Sequence, residues 1–160
     1  MDTPMIICAQ YLYMLVLFLA GMYFFLPERS KQKQMTIAAL IALPSALILG
    51  KIAGQFYFDP RPFVIGHFTP LILHAADNGF PSDHALLCFT VSFLVLSFNR
   101  RLGGLLLVLS MIVGLARVSV GMHHVIDIMG SAGIGMMAVC VCALITRLRS
   151  SHFPLEDEQS

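Results

Sequence analysis

The sequence predicts an all-α membrane protein: a polytopic helical bundle with about five transmembrane helices and a long outer loop between the second and the third. Hydrophobic residues make up 58% of the chain and charged residues only 12%, which is far from the composition of a soluble domain. Five apolar runs approach the ~20 residues that are needed to cross a bilayer. These runs cover residues 5–26, 35–57, 84–98, 103–120 and 125–146.

The first and third runs need separate justification. The first is too long for the h-region of a signal peptide, and no basic n-region precedes it, so we interpret it as a retained span. The third is short, but Pro81-Ser82-Asp83 directly before it can form a first helical turn. Both runs therefore count as spans.

The basic residues of the loops predict the orientation of the bundle. Pro27–Gln34 carries three, Asn99–Arg101 carries two, and the C-terminal flank carries two more. Such residues stay on the cytoplasmic side of a membrane, and five spans place all three segments on that side. The N-terminus, the segment 58–83 and the turn 119–124 then share the outer side.

The chain is expected to form one membrane-embedded domain, residues 1–149, followed by a polar cytoplasmic tail, residues 150–160, that is disordered. A net charge of +1 excludes the basic face that nucleic-acid binding needs. The four cysteines lie within predicted spans without a set of four zinc ligands, so we assign them to packing.

Ionisable residues also lie among or beside the apolar runs, where charge is costly and usually functional. They occur in three stretches that the predicted topology brings to the outer boundary. The stretches are Lys51 with Arg61-Pro62, then Pro81-Ser82-Asp83-His84, and then Arg117, His123 and Asp127. Together they predict a membrane-embedded anion site.

The third stretch is the most informative. His123 and Asp127 are four residues apart, so on a helix they share one face and can form a hydrogen bond. A carboxylate on one imidazole nitrogen fixes the tautomer and leaves the other nitrogen free as a nucleophile. Helical spacing does not place Arg117 on that face, but a break at Gly121 could bring it round. The alternative is an ion pair that only holds two helices together.

The second stretch is typical of a helix start, where free backbone N–H groups and the helix dipole bind phosphate. Ser82 can contact the anion or simply cap the helix. His84 then projects as a possible proton donor to a leaving oxygen, although a lone histidine here is more often an interfacial residue.

The first stretch supplies cations. Arg61 offers a planar fork for phosphate oxygens and Lys51 a point charge. The alternative is that both side chains extend to lipid headgroups at the ends of the spans.

These three stretches resemble the signature of the type-2 phosphatidic acid phosphatase family of membrane phosphatases, which is related to vanadium haloperoxidases. The family pattern is Lys-x6-Arg-Pro, then Pro-Ser-Gly-His, then Ser-Arg-x5-His-x3-Asp. Here the third motif is Ala116-Arg117-x5-His123-x3-Asp127, with both spacings intact. The match covers about residues 35–146.

More narrowly, three segments resemble the bacitracin-resistance type of undecaprenyl-diphosphatase. They are Phe58-Asp59-Pro60-Arg61-Pro62-Phe63-Val64, His74-Ala75-Ala76-Asp77 and Phe80-Pro81-Ser82-Asp83-His84. The resemblance implies an enzyme that removes the terminal phosphate of undecaprenyl diphosphate, recycles the cell-wall lipid carrier and confers bacitracin resistance. It implies a multi-pass protein of the bacterial plasma membrane, with its active site on the outer face and membrane lipids around it.

By the same resemblance, His123 would attack phosphorus to form a phosphohistidine, Asp127 would orient it, and His84 would protonate the leaving phosphate and then activate water. The phosphoryl oxygens would be held by Lys51, Arg61, Ser82 and Arg117. No cofactor and no metal is implied, because cations of the protein can stabilise the charge of the transition state.

The sequence departs from the family pattern at several positions. Asp83 replaces glycine, which places a carboxylate beside the phosphate site where it could bond a neighbouring cation or the substrate. Ala116 replaces the serine before Arg117. Lys51 lies ten residues before Arg61 rather than seven, about 4.5 Å and 60° away on a helix. The family core usually has six spans against five here, so a short N-terminal element is expected to be missing.

Two other classes stay open. A lipid-headgroup binder or transporter would need the cations but not a His–Asp pair opposite a second histidine. A metal site built from His84, His123, His124 and Asp127 is disfavoured, because the nearby cations would repel a metal ion. Within the enzyme class, phosphatidylglycerophosphate, phosphatidate and lipid A are alternative substrates.

Overall fold

A computed structural model describes the backbone of residues 3–152 and the side chains of residues 3–146. The regular secondary structure of this part of the chain is all helical, apart from one isolated bridge between Pro60 and Asn78. The helices are α1 (Thr3–Phe24), α2 (Arg29–Phe56), α3 (Pro62–Ile65), α4 (Asp83–Phe98), α5 (Arg100–Ser119) and α6 (Val125–His152). The predicted helical bundle is confirmed, and the short helix α3 lies within the predicted outer loop.

Four of these helices, α1, α2, α5 and α6, are long and apolar enough to cross a membrane. Helix α4 is also apolar but has only 16 residues. It begins at Asp83, so Ser82 is its N-cap rather than part of its first turn. The protein is a multi-pass membrane protein, as its apolar runs predicted.

Helices α2 and α5 begin three or more residues earlier than the apolar runs indicated. Helix α2 starts at Arg29 because the polar residues up to Gln34 are good helix formers, and they add a solvent-facing turn to the apolar run. Helix α5 starts at Arg100, where the Asn99 side chain accepts hydrogen bonds from the N–H groups of Arg101 and Leu102. At the other end of the chain, α6 is described as far as His152, and residues 153–160 of the predicted tail lie outside the described residues.

Helix α4 is the centre of the bundle, since it packs against α1, α2, α5 and α6. Half of its residues are buried, whereas the outer helices expose many large apolar side chains. Where helices have no water to exclude, small residues and short polar side chains let them approach closely. The hydroxyls of Ser92 and Ser110 accordingly join α4 to α5 at 2.9 Å.

The loop Tyr57–Ser82 and the turn 120–124 lie at one end of this bundle, beside the start of α4. Near this end Ser131 of α6 donates a hydrogen bond to the carbonyl oxygen of Ser82 at 3.0 Å. The three ionisable stretches of the sequence therefore meet at one end of the bundle, as the predicted topology required.

The contact between Gly103 of α5 and Leu96 of α4 provides a test of this packing. We expect Gly103→Ala to destabilise the protein by about 1–3 kcal/mol, because a Cβ at Gly103 would lie 2.3 Å from the Cα of Leu96. The adjacent variant Gly104→Ala is the matched control, since a Cβ there meets no atom within 4 Å. Thermal unfolding in detergent measures both, and equal melting temperatures for the two variants would contradict the packing.

Candidate active site

His123 occupies the turn between α5 and α6 and is 2% exposed. Its Nδ1 lies 2.9 Å from the carbonyl oxygen of Gly79 and 3.2 Å from Oδ2 of Asp127. Both partners are acceptors, so Nδ1 carries the proton and donates it. The neutral ring then has its free lone pair on Nε2, which is the arrangement that a nucleophilic imidazole needs.

The His123–Asp127 contact forms for a different reason than helical spacing suggested. Helix α6 begins only at Val125, so His123 precedes it and does not share a helix face with Asp127. Asp127 instead lies in the first turn and also accepts the backbone N–H of His124 at 2.9 Å. This bond is the helix-side half of a capping box, and it holds the carboxylate at the helix N-terminus beside the His123 ring.

Two buried arginines approach the free nitrogen of His123. Nη1 of Arg61 and Nη2 of Arg117 each lie 3.3 Å from Nε2, and each arginine is 5% exposed. Gly121 adopts φ +75°, a left-handed conformation that turns the chain after α5. This is the break that was expected to bring Arg117 round to His123.

The same surroundings set the charge of the His123 ring. Burial lowers the pKa of His123, and the positive charges of Arg117 and Arg61 lower it further, which outweighs the hydrogen bond and negative charge of Asp127. The imidazole is therefore neutral at neutral pH, and its Nε2 lone pair is available.

A cavity of about 240 Å³ opens beside His123. The predicted site residues that line it are Lys51, Arg61, Asp83, His84, Arg117 and His123. Lys51 and Asp83 are exposed and His84 is half-buried. Residues from three separate stretches thus share one cavity, and the burial of Arg61 excludes the alternative that this side chain extends to lipid headgroups.

Two predicted site residues, Ser82 and Asp127, lie behind the cavity wall, since both are 0% exposed. Ser82 is the N-cap of α4, but its hydroxyl makes no capping hydrogen bond. Among the described residues, the buried Ser82 Oγ and Arg117 Nε have no hydrogen-bond partner. Unpartnered buried polar groups are rare and often mark a binding site.

Sequence reasoning named Asp77 within a segment that resembles the narrower family but gave it no role in the site. Its Oδ1 accepts a 2.6 Å hydrogen bond from Nε of Arg61. Partial burial raises the pKa of Asp77, but the hydrogen bond and charge of Arg61, helped by His74, lower it more, so the net pKa lies below its usual value. The carboxylate is ionised at neutral pH and lines the cavity. Nothing in the local sequence around Asp77 indicates this partner, which lies 16 residues away.

Asn78 was also missed, and it fixes the shape of the loop. Its Nδ2 donates to the carbonyl oxygens of Gly54 at 2.9 Å and Tyr57 at 3.0 Å. Its Oδ1 accepts from the N–H groups of Asp59 at 2.9 Å and Phe80 at 3.0 Å. Because both ends of the amide are used, the loop holds the Gly79 carbonyl against His123.

His124, which the sequence analysis named only in the disfavoured metal site, pairs with Asp59 through its Nδ1 at 2.8 Å. Asp59, His124 and Asp127 form a group of possible metal ligands within the described part of the chain. The set differs from the metal alternative considered above, because neither His84 nor His123 belongs to it. Nδ1 of His124 and Oδ2 of Asp127 already take part in hydrogen bonds.

Fold and site together define a class: a multi-pass membrane protein with an anion site built around a neutral, carboxylate-paired histidine at one end of its bundle. The comparison with protein families is specific on this point. Residues 34–151 match the PAP2 superfamily, and the chain belongs to that superfamily.

Individual relatives agree. The chain is 37% identical over 131 residues to the bacitracin transport permease protein BcrC of Bacillus licheniformis, covering 81% of this chain and 64% of that protein. It is 30% identical over 138 residues to the undecaprenyl-diphosphatase BcrC of Bacillus subtilis strain 168, covering 86% and 70%. The chain thus spans less than two thirds of the length of the first of these relatives.

Among solved structures, LpxE of Aquifex aeolicus superposes with a TM-score of 0.71 at 19% identity, covering 89% of this chain and 85% of that one. At this identity the likeness concerns the fold alone.

The Arg61–Asp77 pair generates a prediction. We expect Asp77→Asn to tighten inhibition by inorganic phosphate a few-fold, because it removes a negative charge beside an anion site. Arg61 should stay in place, since its Nη1 also donates to the Met122 carbonyl oxygen at 3.1 Å. The measurement is the inhibition constant of phosphate. The control is Glu28→Gln, which removes the carboxylate of an exposed residue before α2, away from the cavity. Weaker inhibition would instead assign Asp77 to holding Arg61.

Proposed function

We propose that this protein is a metal-independent undecaprenyl-diphosphatase, which hydrolyses undecaprenyl diphosphate to undecaprenyl phosphate and inorganic phosphate. The observation that carries the proposal is the free Nε2 of His123. It lies 3.3 Å from two buried arginines and faces a cavity that His84 also lines. A neutral nucleophile set between fixed positive charges suits attack on a phosphoryl group.

In the first step, His123 Nε2 forms a bond to the terminal phosphorus, and the bond from that phosphorus to the bridging oxygen breaks. Protonated His84 gives its proton to the oxygen of the departing undecaprenyl phosphate. Asp127 stabilises the ring, which becomes positive as Nε2 is phosphorylated while Nδ1 keeps its proton. Arg61 and Arg117 bind the equatorial oxygens, where negative charge is concentrated.

In the second step, His84, now neutral, takes a proton from water as the water oxygen attacks phosphorus. The bond from phosphorus to Nε2 breaks, inorganic phosphate is released, and both histidines return to their starting states. No oxidant or further reactant is needed. The electron pair of the broken bond stays on Nε2, and the His123 ring is again neutral.

The remaining predicted residues would complete the phosphate cradle. The unpartnered Ser82 hydroxyl and Arg117 Nε are donors that a bound phosphate could use after a small movement. Lys51, exposed at the cavity edge, would hold a more distant oxygen by its charge. Asp83 faces the same cavity and would take the hydrogen of a protonated phosphate or pair with Lys51.

The lipid is assigned from the relatives, because the site recognises phosphate rather than the hydrocarbon tail. One relative is named an undecaprenyl-diphosphatase and another a bacitracin transport permease, so both an enzyme and a transporter need consideration. A transporter has no need for a histidine whose tautomer is fixed by Asp127 and Gly79. That geometry supports the enzyme. Phosphatidylglycerophosphate, phosphatidate and lipid A are the alternative substrates.

The decisive experiment is phosphate release by the purified protein in detergent from prenyl diphosphates, phosphatidylglycerophosphate and phosphatidate. We expect the prenyl diphosphates to react fastest. Replacing His123 or His84 with alanine should abolish release, since one is the nucleophile and the other the acid, and EDTA should have little effect. Full activity of His123→Ala, or complete loss with chelator, would defeat the mechanism.

The pH dependence of the same assay follows from the lowered pKa of His123. The reactive form is the neutral ring, so its loss begins only as pH falls through a value below the ordinary 6.5. Protonation of His123 should therefore leave the free enzyme at least half of its neutral-pH kcat/KM at about pH 6.5. A steep acid loss starting above that pH would contradict the assignment of the nucleophile.

We also propose that the site faces the outside of a bacterial plasma membrane and that the C-terminus is cytoplasmic, following the basic loops. In a variant without native cysteines, a cysteine at Leu73, which is 88% exposed, should react with an impermeant thiol reagent in intact cells. A cysteine at the exposed Gln34 should react only after lysis. Labelling of residue 34 alone in intact cells would invert the topology.

A further inference from the structure

His84 and His123 are held in different ways. His123 has a carboxylate and a carbonyl oxygen on Nδ1 and an arginine on each side of Nε2. Among the described residues, the side chain of His84 makes no hydrogen bond. The contact that limits the His84 ring is aromatic: the ring of Tyr13 meets it edge to face, with centroids 4.7 Å apart and planes at 87°.

Tyr13 belongs to α1, which lies outside the part of the chain that matches the superfamily, residues 34–151. The helix is nevertheless docked against α4 near this point. Val16, one turn after Tyr13, and Cys88, one turn after His84, are both fully buried in one apolar cluster, against which Tyr13 itself packs. Because residues one turn apart lie on one helix face, the burial of Val16 and Cys88 in the same cluster brings Tyr13 to His84.

From this geometry we infer that Tyr13 is a positioning residue for His84: its ring fixes the plane of the His84 imidazole and so aims the proposed proton donor at the leaving oxygen. An edge-to-face arrangement is the preferred geometry of aromatic pairs and restricts rotation of both rings. A general acid acts only within hydrogen-bond reach of the oxygen that it protonates. This inference rests on the proposed function, because it gives His84 that task.

The test uses three full-length variants. Tyr13→Leu removes the aromatic edge but keeps an apolar side chain, and we expect it to lower kcat for a prenyl diphosphate roughly tenfold with little change in KM, because a misaimed catalytic group costs rate rather than binding. Tyr13→Phe keeps the ring and should stay within about twofold of the wild-type rate. Tyr11→Leu makes the same change two residues away at a position that is 55% exposed, and it should not alter kcat.

A second measurement reports on the His84 ring without activity. The chain has six histidines, so NMR of histidine-labelled protein in detergent is tractable, with the His84 signal assigned by its absence in His84→Gln. The ring current of Tyr13 displaces this signal, and we expect Tyr13→Leu to shift it while Tyr13→Phe and Tyr11→Leu do not. Thermal unfolding checks that Tyr13→Leu is folded.

Two results would overturn the inference: wild-type kcat in Tyr13→Leu, or an unchanged His84 signal in that variant. A loss in Tyr13→Phe as large as in Tyr13→Leu would also overturn it, since the hydroxyl rather than the ring would then be at work. If the wild-type protein releases no phosphate from prenyl diphosphates, the proposed function fails. If His84→Ala itself keeps full activity, the acid role of His84 fails, and the positioning role of Tyr13 fails with it. If His84→Ala is inactive while Tyr13→Leu behaves as wild type, only the positioning role fails.

Discussion

The structure depends on the convergence of two buried arginines on one imidazole nitrogen. Arg61 and Arg117 both contact Nε2 of His123, so two positive charges lie close together where water is largely excluded. At a separation of roughly 6 Å and an effective dielectric constant of about 20, two such charges repel by about 3 kcal/mol. The fold must offset this repulsion, and a bound phosphate would reverse it. Burial and the two positive charges together lower the pKa of His123 and keep its ring neutral.

The surrounding contacts compensate one arginine more completely than the other. Arg61 has the Asp77 carboxylate and the Met122 carbonyl oxygen. Arg117 keeps a buried Nε without a partner among the described residues. Such an unpartnered group destabilises the protein in the absence of a ligand. A binding site tolerates this destabilisation because a bound anion supplies the missing partner. Asp77 therefore compensates the charge of Arg61, whereas Arg117 keeps a donor for a bound anion.

The loop before α4 is part of the site rather than a connection. Non-helical backbone that packs against a site must find partners for its own polar groups. Asn78 meets that requirement by bonding three backbone groups of the loop and the Gly54 carbonyl oxygen of α2, and Gly79 supplies the carbonyl that orders His123. A side chain at Gly79 would crowd Asp127, since its Cβ would lie 3.1 Å from Oδ2. The rigidity of the turn that carries His123 thus comes from residues that have no proposed role in the chemistry.

The sequence alone determined the class of the protein and the chemical types at its site. Apolar runs indicate helices that cross a bilayer, because the thickness of its hydrocarbon core sets their length. Charged residues beside these runs indicate function, because burying a charge without a role is costly. Tertiary structure decided the pairings. Asp77 meets Arg61, and Tyr13 meets His84, across distances along the chain that no local pattern encodes. It also decided how His123 meets Asp127: the two residues are linked through a helix N-terminus and a loop carbonyl, not through a shared helix face, because α6 begins two residues after the histidine.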